Sequence, residues 1–144
     1  MTAYLLDVNI LIALLSRKHD HHSRARTWFE AEGHHEWLTC PTTENGVIRI
    51  MSGTGFSNAA VTPGSMIESL QSLFRLGNHR FVPDDITLTD ESAILRSRLL
   101  ASTQVTDTYL LALAASNDAV LATLDRRLAP DAVRSGADHL LRIP

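Results

Sequence analysis

Apolar residues in this chain gather in short runs broken by small and charged ones, and the period inside each run predicts an element. Tyr4-Leu5-Leu6 reads as a buried strand that delivers Asp7 at its end and Asn9 two residues later. Residues 10–15 are all apolar, enough for the first turns of a buried helix. A second helix is expected over about 20–32, with Ala25, Trp28 and Phe29 on one stripe and Gly33 ending it. Residues 37–40 form a compact strand candidate. Pro41 then stands where a helix accepts its first proline, opening a helix that carries Glu44, Val47, Ile48 and Met51.

Further along, Gly53-Thr54-Gly55-Phe56 interrupts the pattern as a loop. Thr62-Pro63 reopens a helix as cap and first position, with Met66, Ile67, Leu70, Leu73 and Phe74 on one face as far as Gly77. Residues 80–82 read as a short strand stopped by Pro83. Thr89-Asp90-Glu91 predicts a helix running to about Leu100, with acids in its first turn where the macrodipole favours them. A Leu- and Ala-rich helix follows over 108–117, a buried strand over 120–124 and a last strand over 139–143. Strands alternating with helices predict an α/β domain with a mainly parallel sheet covered on both faces. With 144 residues and 44% hydrophobic content, one domain spanning 1–144 is expected.

Charge and composition narrow the function. A formal charge of −3 argues against a broad basic face gripping duplex DNA, so any nucleic acid is held locally. Lys18 is the only lysine, which removes mechanisms that need a lysine deep in the fold. Cys40 is the sole cysteine, leaving no disulfide framework and no cysteine zinc cluster. The first apolar run is broken by Asp7 and lacks a cationic lead, unlike a signal peptide, and no run approaches the ~20 apolar residues that cross a bilayer. The expectation is a soluble cytoplasmic protein without a membrane partner.

The acids are the candidate chemistry. A charge between two core-forming segments costs several kcal/mol, in order of magnitude, unless it is paired, hydrated in a cleft or bound to a cation, and nothing apolar explains Asp7. Asp125 also follows a predicted strand, and ligand sites of open parallel sheets lie outside those ends. Asp107 shares a helical stripe with Leu110, Leu111 and Ala114, behind Thr106 as a candidate cap. Glu44 shares one with Val47 and Ile48. Each has an ordinary alternative: Glu44 and Asp107 as helix-dipole partners, Asp125 as a turn residue beside Arg126 and Arg127. As a set they would repel one another unless a cation sits among them, and oxygen-only ligands select Mg²⁺ or Mn²⁺. His19-Asp20-His21-His22 has no common zinc spacing and reads as a solvated helix start, and Gly53-Thr54-Gly55 lacks the lysine of a P-loop.

Four segments carry a resemblance. These are Leu5-Leu6-Asp7-Val8-Asn9-Ile10-Leu11-Ile12-Ala13-Leu14, Cys40-Pro41-Thr42-Thr43-Glu44-Asn45-Gly46-Val47-Ile48-Arg49, Val105-Thr106-Asp107-Thr108-Tyr109-Leu110-Leu111-Ala112-Leu113-Ala114 and Thr123-Leu124-Asp125-Arg126-Arg127-Leu128. Together they resemble the signature regions of PIN-domain endoribonucleases, in particular the VapC toxins of bacterial toxin-antitoxin pairs. The resemblance implies a three-layer α/β/α fold with strand order 3-2-1-4-5 and hydrolysis of RNA phosphodiester bonds. It implies an acidic pocket of Asp7, Glu44, Asp107 and Asp125, with Asp7, Asp107 and Asp125 as ligands to Mg²⁺ or Mn²⁺ and Asn9 and Thr123 beside them. It also implies a homodimer neutralised by a VapB-type antitoxin. A PIN nuclease of RNA processing without an antitoxin, or a catalytically silent PIN-like binding module, are the alternatives. Haloacid-dehalogenase-type phosphatases and receiver domains share only the aspartate after the first strand and require a later lysine that this chain lacks.

Overall fold

The computed structural model describes residues 1–56 and 61–144; the remainder of the Gly-rich segment 53–61 lies outside the described residues. Among the described residues five parallel strands form one sheet in the order β3-β2-β1-β4-β5. They are β1 (Tyr4–Leu6), β2 (Trp37–Thr39), β3 (His79–Phe81), β4 (Val120–Thr123) and β5 (Leu140–Arg142). Register is set by Leu5, which pairs with Leu38 on one side and Leu121 on the other. The expected strand order and parallel sense are therefore those observed.

Alternation along β1 splits the core into two layers. Tyr4 and Leu6 point to one face, where they pack with Trp37, Val47 and Leu70 under helices α1 (Val8–Leu15), α2 (His22–Ala31), α3 (Pro41–Met51) and α4 (Pro63–Leu73). Leu5 points to the other, with Leu38, Leu121 and the apolar side of α5 (Val105–Ser116). Side chains such as Leu5, Trp37, Leu110 and Leu121 are fully buried, each contributing about 1.5–3 kcal/mol of apolar transfer. Trp37 keeps its polar edge satisfied by donating from Nε1 to the Leu76 carbonyl at 2.8 Å.

Several boundaries differ from the pattern reading. The first helix begins at Val8 because Asp7 caps it, and the fourth ends at Leu73, four residues short of Gly77. Thr106 is not the cap of α5: the helix starts at Val105, so Thr106 and Asp107 lie in its first turn. The largest departure is 89–100, which is not a helix. Asp90 Oδ1 accepts from the backbone N and the hydroxyl of Ser92, a local turn that competes with helix nucleation. Ile94 then forms an antiparallel bridge with Val133, and the Leu95 N–H donates to Ala132 O at 2.8 Å. Only a short 3-10 turn, Arg96–Arg98, remains. The Leu95 N–H, whose helical partner would be the Glu91 carbonyl, is thus taken by a distant backbone segment, and Glu91 O accepts from Arg134 Nε instead.

Candidate active site

The strand order reverses at β1, which has β2 on one side and β4 on the other, so a crevice opens at the carboxyl edge of these strands. The Asp7 N–H donates to Ala122 O at 2.9 Å, prolonging the β1–β4 pairing by one residue and bringing Asp7 beside Thr123. Asp7 is 7% exposed. Its Oδ1 caps α1 by accepting from Val8 N at 2.7 Å, while Oδ2 accepts from the Thr123 hydroxyl at 2.7 Å and from Asn9 Nδ2 at 3.3 Å. Among the described residues, three donors and no ion-pair partner meet this carboxylate.

Thr123 and Asn9 knit the edge together. The Thr123 oxygen also accepts from Asn9 Nδ2 at 3.1 Å and from the Asp125 N–H at 3.1 Å, and Asn9 Oδ1 accepts from Leu124 N at 3.1 Å. The chain leaving β4 is therefore pinned to the start of α1. Asp125 turns back, with Oδ1 accepting from Arg127 N at 2.9 Å. The guanidinium of Arg126 reaches the Ile143 carbonyl instead of a carboxylate.

Asp107, in the first turn of α5, faces Asp125 across a crevice of about 370 Å³ whose walls include Thr103, Thr108 and Arg127. Burial pushes the Asp107 carboxyl up to about 6, and the charges of Asp7 and Asp125 add to the shift. Asp7 is raised for the same first reason: burial outweighs its hydrogen bonds, and Asp125 contributes repulsion. The structure brings these aspartates within reach of one another's charge. Glu44 stands one strand over at the same sheet edge, where its Oε2 accepts from the Thr39 hydroxyl at 2.6 Å. Neither Glu44 nor Asp7 lines the Asp107–Asp125 crevice itself; Asp7 reaches it through its charge. Thr39 and His79, which touches the same hydroxyl, carried no signal beyond strand propensity, and His79 fell outside the predicted strand.

The donor set suits a hard divalent ion. Among the described residues no ion pair engages these aspartates, and no group of three His, Cys, Asp or Glu side chains closes around one point. Mg²⁺ is commonly held by one or two carboxylates with water and substrate phosphate completing the shell, so an open arrangement of repelling acids fits it better than a closed cage would. Other candidate groups have local explanations. Burial raises the Cys40 thiol to about 11, so it is not a nucleophile at neutral pH. His22 holds the Ala13 carbonyl through Nδ1 at 2.7 Å.

The raised carboxyls carry a sign. Asp7 and Asp107 bind protons more tightly in the folded chain than in the unfolded one, so their favourable contribution is complete below the ordinary carboxylate range. It is lost as pH rises through the folded-state value, about 6 for Asp107. In EDTA, Asp107→Asn is expected to melt with wild type near pH 4 and above it near pH 7.5. A gap of the same size at both pH values would show that Asp107 does not titrate between them.

Residues 4–130 match the family described as PIN domain. The chain is 42% identical to Ribonuclease VapC39 of Mycobacterium tuberculosis strain H37Rv over 132 residues, covering 92% of this chain and 94% of that protein. It is 38% identical to Ribonuclease VapC44 of the same strain over 129 residues, covering 90% of each. Ribonuclease VapC38, also of that strain, is 39% identical over 121 residues, covering 84% of each.

Proposed function

The chain belongs to the PIN-domain family, and from that premise we infer that it is an endoribonuclease toxin of the VapC type, acting as one domain over 1–144. The observation that carries the reading is the gathering of Asp7, Asp107 and Asp125 at the carboxyl edge, mutually repelling and, among the described residues, engaged by no ion pair. A structural ion-pair network would have neutralised them; a site for a divalent cation and a phosphodiester keeps them charged and unpaired.

Asp7, Asp107 and Asp125 are the groups that would hold Mg²⁺ or Mn²⁺, and Glu44 the further acid at the same edge. When bound, the ion supplies charge neutralisation at the phosphate and a water acidified for attack. The protein's own part is positioning. Asp7 is fixed by Val8, Asn9 and Thr123, and Asp125 by its backbone bond to the Thr123 hydroxyl. The crevice beside Asp107 and Asp125 is large enough for a phosphodiester, and Arg127 on its wall can meet phosphate charge. Attack by water forms a new P–O bond and breaks the bond to the ribose 3′ oxygen, which leaves as a hydroxyl after gaining a proton.

The products should carry 5′-phosphate and 3′-hydroxyl ends. Cleavage of a single-stranded RNA should require Mn²⁺ or Mg²⁺ and stop in EDTA. A 2′,3′-cyclic phosphate would instead mean that the ribose 2′-hydroxyl attacks, and would end the water-attack reading. No helix among the described residues is long and apolar enough to cross a membrane. A VapB-type antitoxin and a homodimeric state belong to the same reading. Co-expression with the neighbouring open reading frame tests the first, through a stable complex and relief of growth arrest, and light scattering tests the second.

A further inference from the structure

Glu44 ends a hydrogen-bonded chain that starts on β3. The Thr39 hydroxyl oxygen lies 2.6 Å from Glu44 Oε2 and 2.7 Å from His79 Nε2. A hydroxyl has one proton to give. With that proton on Glu44, the imidazole must be the donor to Thr39, so both protons point toward the carboxylate. Thr39 is fully buried, at the last position of β2. His79 is held between rings: it stacks on Phe74 with centroids 3.9 Å apart and planes 1° from parallel, and lies 4.6 Å from the Trp37 ring. A buried threonine commonly satisfies its hydroxyl on nearby backbone. Here the hydroxyl joins a carboxylate five residues on to a ring forty residues on.

We propose that Thr39 and His79 are positioning residues that hold the Glu44 carboxylate in its working orientation. The proposal rests on the reading of Glu44 as a catalytic acid. The aromatic clamp fixes the imidazole, the imidazole fixes the rotor of the hydroxyl, and the hydroxyl fixes Oε2. Oε1 has no protein partner among the described residues, which leaves that oxygen for water, ion or substrate.

The test is RNA cleavage in Mn²⁺ by the purified full chain, with melts of each variant in parallel. Thr39→Val keeps the shape and removes the link; His79→Phe keeps the ring stack and removes the outer donor, and it carries the test should Thr39→Val fail to fold. Each is expected to lower kcat by about 10- to 100-fold, the usual scale for partners that orient a site residue, with KM unchanged. Thr39→Ser is expected to restore most of the loss. In a Glu44→Gln background, Thr39→Val should cost nothing more. A wild-type kcat in Thr39→Val beside an impaired Glu44→Gln overturns the relay and leaves the reading of Glu44 standing. Full activity in Glu44→Gln overturns both. Losses that multiply in the double variant, or a serine variant as poor as the valine one, also overturn the relay, because Thr39 would then act through packing alone.

Discussion

Asp7→Asn is expected to lower RNA cleavage by roughly 10²–10³-fold or more, the scale on which removing one preorganised electrostatic contact acts, while the metal-free protein stays folded. The amide keeps the volume of the carboxylate. Its oxygen still accepts from Val8 N, and asparagine caps a helix as well as aspartate does. The amide nitrogen falls where Oδ2 was, so the Thr123 hydroxyl loses its acceptor and Asn9 Nδ2 meets a second donor. That loss is about 1 kcal/mol. Against it stands relief of a buried charge and of repulsion from Asp125, which already raise the Asp7 carboxyl. The two effects oppose, and the melting temperature in EDTA should move by only a few degrees. Adding Mn²⁺ should raise the melt of wild type and leave that of the variant where it was, since only a native state that binds the ion gains from it. A variant that unfolds in EDTA while wild type does not would make Asp7 a structural residue and withdraw it from the site.

Gly77→Ala should be the most destabilising single methyl in the chain, by about 3 kcal/mol or more, enough to threaten a domain whose total stability is typically ~5–15 kcal/mol. Gly77 sits at φ +60°, where a side chain costs about 1–2 kcal/mol on its own. The added Cβ would also lie 2.0 Å from the His34 carbonyl oxygen. That oxygen cannot step aside freely, because it accepts from Asn78 N at 3.0 Å, and Asn78 in turn donates to His35 O and accepts from Trp37 N. The clash therefore falls on the turn that aligns β3 with β2 and sets His79 beside Thr39. Gly64→Ala is the matched control: in the first turn of α4, its new Cβ would find nothing nearer than Thr62 Oγ1 at 3.9 Å, and a gain of about 0.5–1 kcal/mol is expected. Urea unfolding of both variants checks the pair, and a Gly77→Ala midpoint equal to that of wild type would show that the turn relaxes without cost.

What the residues alone determined is what burial along one element encodes. Tyr4-Leu5-Leu6 and Val120-Leu121-Ala122 are apolar on both faces, which is the mark of a strand inside a covered parallel sheet, and Asp7 and Asp125 stand out because a carboxylate has no place in such a run. The stripe of Leu110, Leu111 and Ala114 likewise turns Asp107 inward by spacing alone. The period of a segment says which side is buried and is silent about what lies on that side. Only the tertiary structure joined Asp7 to Thr123 across 116 residues, because their meeting depends on β4 lying next to β1. It also dissolved the helix expected at 89–100, where Val133 and Ala132 offered backbone partners that no local pattern announces. Glu44 shows the division most clearly. Its place in the first turn of α3 follows from Pro41 and the stripe behind it, whereas its bond to Thr39, and through Thr39 to His79, exists because β2 and β3 pair in register with Trp37 opposite His79. Local spacing decides which groups face inward, and strand order decides which of them share a hydrogen bond.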